Sequence, residues 1–112
     1  MAQLQISVEE RSECASVTLA GELDMVAADR LAQELLGLEL RQTHEIVLDL
    51  SGLTFLDSHG LTALLDAADQ SASLGCRLML VEPPEPIMKV FRITLLDRRF
   101  EWTDTAEREK SV

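Results

Sequence analysis

Asp57-Ser58-His59-Gly60 sets a hydroxyl between a carboxylate and an imidazole, with a glycine close behind. Three kinds of chemistry use such residues: a nucleophilic triad, a helix cap, and a hydroxyl offered to another molecule. A hydrolase of the strand-turn-helix type carries its serine in a Gly-x-Ser-x-Gly frame, whereas this chain reads Leu56-Asp57-Ser58-His59-Gly60. Adjacent residues of a helix project about 100° apart, so His59 is badly placed to deprotonate its own neighbour, whether Asp57 or Asp49 completes the triad. His44, in the loop before the central strand, would have to cross to the other end of that strand. Catalysis is therefore disfavoured. The cap and the presented hydroxyl both stand: Asp57 and Ser58 are each good N-cap types, able to accept from the free N–H groups of a first turn. Gly60 leaves those N–H groups open to approach, at a cost of about 1 kcal/mol of helix stability relative to alanine.

The elements that must position this turn can be read from apolar spacing. Leu4, Ile6 and Val8 alternate with polar residues, as do Ala15, Val17 and Leu19, and the charged stretch Glu9 to Glu13 between them predicts a hairpin of two half-buried strands. Gly21-Glu22-Leu23-Asp24 breaks the alternation. Ala28, Leu31, Ala32, Leu35 and Leu38 then follow at helical spacing, giving a first helix from about Val26 to Glu39. The nearly continuous run Ile46 to Leu50 reads as a central strand covered on both faces. Leu61, Leu64, Leu65, Ala68 and Ala72 make one stripe of a second helix from Ser58 to about Leu74, closed by Gly75. Leu78 to Val81 is the next strand, ended by Glu82-Pro83-Pro84. Ile87, Val90, Phe91 and Leu95 mark a short third helix, and Phe100 and Trp102 a last strand. The charged, apolar-poor tail from 104 to 112 is expected to fray. The pattern predicts an α/β fold: one domain over 1–112, a small mixed sheet with crossover helices and an opening β-hairpin. Sites in such folds gather where strands deliver the chain to helix N-termini, which selects Leu56 to Gly60 and Gly21 to Asp24.

Composition narrows the function. The 112 residues are 46% hydrophobic and 27% charged, with a formal net charge of −10. That charge repels phosphate backbones and anionic lipid, so neither nucleic acid nor a membrane surface is an expected partner. No leader or membrane-spanning run is evident, and a cytoplasmic location is expected. Cys14 and Cys76 lie far apart without metal-ligand or redox spacing; both are expected to be buried thiols. Gly21 and Gly60 lie in no phosphate-cradling frame, and neither a metal nor a cofactor is expected.

Three blocks, Gly21-Glu22-Leu23-Asp24, Ile46-Val47-Leu48-Asp49-Leu50 and Phe55-Leu56-Asp57-Ser58-His59-Gly60-Leu61, resemble in order and spacing the bacterial anti-sigma factor antagonists, stand-alone members of the STAS family. The resemblance implies a non-enzymatic interaction module. Ser58 would be the phosphoacceptor of a serine kinase that is itself the anti-sigma factor, with a phosphatase acting on Ser58 to reset it. Unphosphorylated, the protein would capture that kinase and so release the sigma factor. Asp24, Asp57, His59 and Gly60 would belong to the partner-binding surface. His59 departs from the serine or threonine usual after the acceptor, and Thr94-Leu95-Leu96 stands where a glycine is common. The alternative is an accessory STAS domain docked constitutively in a transporter or sensory complex, with Ser58 serving as a helix cap.

Overall fold

The computed structural model describes residues 3–104. Within them the chain forms β1 (Gln5–Arg11), β2 (Cys14–Leu23), α1 (Met25–Leu40), β3 (Glu45–Leu56), α2 (Ser58–Ser73), β4 (Arg77–Val81), α3 (Glu85–Ile93), a single 3-10 turn (Leu96–Arg99) and β5 (Glu101–Thr103). The strands lie in one sheet in the order β1-β2-β3-β4-β5. The β1–β2 pair is antiparallel and the remaining pairs are parallel. The expected α/β architecture, with its opening hairpin and a central β3, is the one observed. The tail expected to fray falls outside the described residues, save Asp104.

Strand alternation sends Ala15, Val17 and Leu19 of β2 and Ile46, Leu48 and Leu50 of β3 to one face. There they pack with Leu31, Leu35 and Leu38 of α1, Leu64 of α2, and Met88 and Phe91 of α3. Val47, Met79 and Val81 form a smaller buried cluster of their own, so the centre of β3 is buried on both faces. Phe91 meets Phe100 and Trp102 edge to face, with centroids 5.7 and 5.5 Å apart, which pins the short β5 to α3.

Several sequence expectations change for identifiable reasons. The first hairpin turn is tighter than Glu9 to Glu13, because β1 and β2 stay paired up to Arg11 and Cys14. Val8 is exposed: the core reaches Leu4, just before this edge strand, and Ile6 within it, and stops there. Cys14 is exposed rather than buried, because the alternation that turns Ala15 inward turns its neighbour outward. Cys76 is buried, and that burial, reinforced by the charges of Glu39 and Glu45, pushes its thiol up to about 11. On α2 the inward line is Gly60, Leu64 and Ser71, with Leu61 and Ala67 partly buried, while Ala72 faces outward. On α3 the buried residues are Met88 and Phe91, and Val90 is exposed.

The feature that matters most for function is a difference in strand length. β4 pairs with β3 only from Glu45 to Asp49, because Pro83 and Pro84 end it. β2 and β3 continue together to Leu23 and Leu56. They leave the sheet as a two-stranded extension whose tips lead straight into α1 and α2.

Candidate functional site

Leu23 pairs with Leu56 at the ends of these strands, so Asp24 and Asp57 follow side by side. The Asp57 amide donates to the Leu23 carbonyl at 3.4 Å. Each aspartate is extended, at φ −103°, and each side chain accepts from the third residue onward: Asp24 from the Ala27 amide at 3.0 Å, Asp57 from the Gly60 amide at 2.9 Å. The same cap is built twice, on neighbouring helices that start at one end of the sheet. Each helix end carries roughly half a positive charge, which the two carboxylates partly offset.

Asp57, not Ser58, is therefore the N-cap of α2. Ser58 is the first helical residue, it is exposed, and among the described residues its hydroxyl has no hydrogen-bond partner. Of the two candidate caps, geometry selects Asp57 and excludes Ser58. An acid one residue earlier already occupies that role, and the hydroxyl is left facing outward.

Gly60 is buried, and a Cβ built on it would lie 2.4 Å from the Leu23 carbonyl oxygen and 2.8 Å from Leu23 Cγ and Leu56 Cδ1. Only glycine allows α2 to seat its first turn on the strand tips. The close approach gives Gly60 a packing role, buried against the strand tips.

His59 is exposed and leans back toward Asp57, Nδ1 to Oδ2 3.9 Å. The arrangement does not assemble a triad. Asp49 is buried in mid-strand, where it accepts from the Ser51 amide at 2.9 Å and its hydroxyl at 2.7 Å. His44 lies at the opposite end of β3, 3.3 Å from Glu13.

Sequence reasoning overlooked the apolar residues around this turn. Met25, Val26 and Phe55 are 56%, 69% and 46% exposed, beside the two capping aspartates in the chain. Their signal was present: each is a large apolar residue out of register with its own element's inward stripe. Exposed apolar groups bordered by carboxylates are what a protein-binding surface offers. No helix of the described residues is long and apolar enough to cross a membrane.

A small mixed sheet with three helices and two helix starts held side by side defines the class of fold. Residues 5–110 match the STAS domain, and the chain belongs to that family. Its fold is similar to that of an anti-sigma factor antagonist from Mycobacterium paratuberculosis (25% identity, TM-score 0.81, covering 97% of this chain and 92% of that one). It is also similar to the Bacillus protein SpoIIAA, an anti-sigma factor antagonist solved unphosphorylated (22% identity, TM-score 0.73, 95% and 94% covered) and phosphorylated (21%, 0.74, 96% and 98%). A further likeness is to the murine anion transporter Slc26a9 (20% identity, TM-score 0.69), where it covers 86% of this chain and 17% of the transporter.

Proposed function

We propose that this protein is an anti-sigma factor antagonist switched by phosphorylation of Ser58. The observation that carries the reading is the division of labour at the start of α2: Asp57 caps the helix and Ser58 is left exposed, its hydroxyl without a hydrogen-bond partner among the described residues. The partner is a serine kinase that is also the anti-sigma factor. It binds the unphosphorylated face formed by Ser58, His59, Asp24 and the apolar residues Met25, Val26 and Phe55. Capture of the kinase releases the sigma factor, in the cytoplasm, and a phosphatase acting on Ser58 restores the binding form. The protein contributes no catalytic group: the kinase moves the γ-phosphoryl of ATP onto Ser58 Oγ, the bond to ADP breaks, and the hydroxyl proton leaves through the kinase.

The physics of the switch is local. Phosphorylation adds about −1.5 to −2 charges at pH 7, at a helix N-terminus whose first amides can accept an anion. The fold thus tolerates the group. Asp24 and Asp57 repel it, and an interface fitted to a neutral hydroxyl flanked by apolar side chains loses its fit. That SpoIIAA, a protein of the same fold, was solved both with and without phosphate supports this reading.

The likeness to part of an anion transporter favours a second reading, constitutive docking in a transporter or sensory complex. Mass spectrometry of the protein after incubation with ATP and the kinase-type anti-sigma factor of the same organism separates the two. Phosphate on Ser58 supports the antagonist; its absence with every such kinase supports the docked domain.

A further inference from the structure

The helices that start at Asp24 and Asp57 run in the same direction and leave a groove of about 290 Å³ between them. Small residues hold it open: Ala28 and Ala32 from α1 face Ala63 and Ala67 from α2. The groove begins at Met25 and His59, in the first turn of each helix, so it is continuous with the Ser58 face. The acids in its lining are Asp29, Glu39 and Asp66, no lysine or arginine is among the described residues that line it, and the imidazole of His59 sits at the mouth. Asp29 of α1 and Asp66 of α2, both exposed, stand on opposite walls. Deeper in, the buried Glu39 accepts from the Gln70 amide at 3.0 Å and from the Ser71 hydroxyl, so it adds negative potential without offering a vacant oxygen.

From this we infer that the groove receives a single basic side chain, lysine or arginine, from the protein partner that engages Ser58. The inference rests on the proposed function and extends it to a second contact. The walls and the rim suit the two parts of such a side chain. An aliphatic stem lies against alanine methyl groups, and the cationic head meets Asp29 and Asp66, where exposed carboxylates can close on it without the desolvation of a buried ion pair. A cation held here also offsets the net charge of −10 that otherwise opposes association with any acidic surface. An anionic or purely apolar occupant fits this lining poorly.

The test is calorimetric titration of the full chain with the unphosphorylated-state partner, the kinase-type anti-sigma factor, at low and at high salt. Four proteins are compared: wild type, Asp29→Lys, Asp66→Lys and Glu34→Lys. Glu34 is an exposed acid of α1 outside the groove, so its variant carries the same change in net charge. Asp29→Lys and Asp66→Lys are expected to weaken binding by about tenfold or more at low salt, with the difference shrinking at high salt, and Glu34→Lys to stay within about twofold. Circular dichroism confirms that each variant is folded. Wild-type binding with all three variants alike overturns the groove assignment and leaves the proposed function standing. Failure of the wild type to bind overturns both.

Discussion

Asp57 and Asp24 are neighbours twice over: the strands that carry them are paired at Leu23 and Leu56, and each closes the first turn of its helix with the same hydrogen bond, at 2.9 and 3.0 Å. The cap at Asp57 relieves the first helical residue, Ser58, of that role. An N-cap must be extended with its oxygen turned back over the first turn, and because Asp57 meets that requirement, Ser58 has no structural duty at the surface. A loss of stability should therefore follow the aspartates and not the serine. Asp57→Ala and Asp24→Ala are each expected to cost about 1 kcal/mol, and Ser58→Ala to stay within about 0.5 kcal/mol of wild type. Urea unfolding midpoints check this; a larger loss for Ser58→Ala than for Asp57→Ala would reassign the cap.

Gly60 and Gly37 are both helical, and they should respond to alanine with opposite sign. A Cβ at Gly60 would press within 2.4 Å of the Leu23 backbone oxygen, whereas at Gly37 its near neighbour is the mobile end of Arg41 at 3.5 Å. Overpacking against backbone costs roughly 1–3 kcal/mol, which outweighs the helix-propensity gain of about 1 kcal/mol. Gly60→Ala should thus destabilise and Gly37→Ala should stabilise by about 0.5–1 kcal/mol. Denaturant unfolding of the two variants side by side gives the answer.

Leu95 follows α3 at φ +61° and is 57% exposed. A non-glycine residue in the left-handed region loses roughly 1–2 kcal/mol, and little packing is gained in return. Leu95→Gly relieves that strain but restores freedom to the unfolded chain, about 0.4–1 kcal/mol. A net gain of roughly 0.5–1 kcal/mol remains, read as a thermal midpoint higher by about 2–8 °C. An unchanged or lower midpoint would show that the leucine makes up for its own backbone.

The two thiols should separate in reactivity. Cys14 is exposed, while burial raises Cys76 from 9.0 to about 11. Iodoacetamide at pH 8 should modify Cys14 in the folded protein and spare Cys76, as peptide mass spectrometry can show. The linkage follows from the same shift. Between pH 9.0 and about 11 the native state holds a proton that the unfolded chain has released. The stability that rests on the protonated Cys76 is complete below that window and is lost across it as pH rises. Cys76→Ala should remove this component from the alkaline decline, seen as a shallower fall of unfolding free energy over the window.

How much of this could be read in the sequence depends on what kind of constraint acts on each residue. Ala15, Val17 and Leu19, and likewise Leu31, Leu35 and Leu38, announce their elements because periodic burial leaves a periodic mark. The two strand-to-helix junctions were equally legible, although each is the single residue Asp24 or Asp57 rather than a longer turn, and the pairing of Leu23 with Leu56 brings them together. The internal roles of the site were not. Asp57 and Ser58 are both acceptable caps, and only the extended backbone at Asp57 decides between them. Gly60 looked like an opening because a sequence shows the absence of a side chain but not the Leu23 carbonyl that requires it. Ser71 is buried because the acid it donates to, Glu39, lies on another helix, a contact with no local signature.

The central claim is that a phosphate on Ser58 blocks a surface that is otherwise ready to bind. Its most direct test is the affinity of the kinase-type anti-sigma factor for the protein, unphosphorylated and stoichiometrically phosphorylated at Ser58, with Ser58→Ala as the neutral control. The unphosphorylated protein and Ser58→Ala should bind alike, and the phosphorylated form at least about tenfold more weakly, a difference of about 1.4 kcal/mol or more, while its circular dichroism and unfolding midpoint stay close to wild type. Equal affinity for the phosphorylated and unphosphorylated forms would contradict the claim.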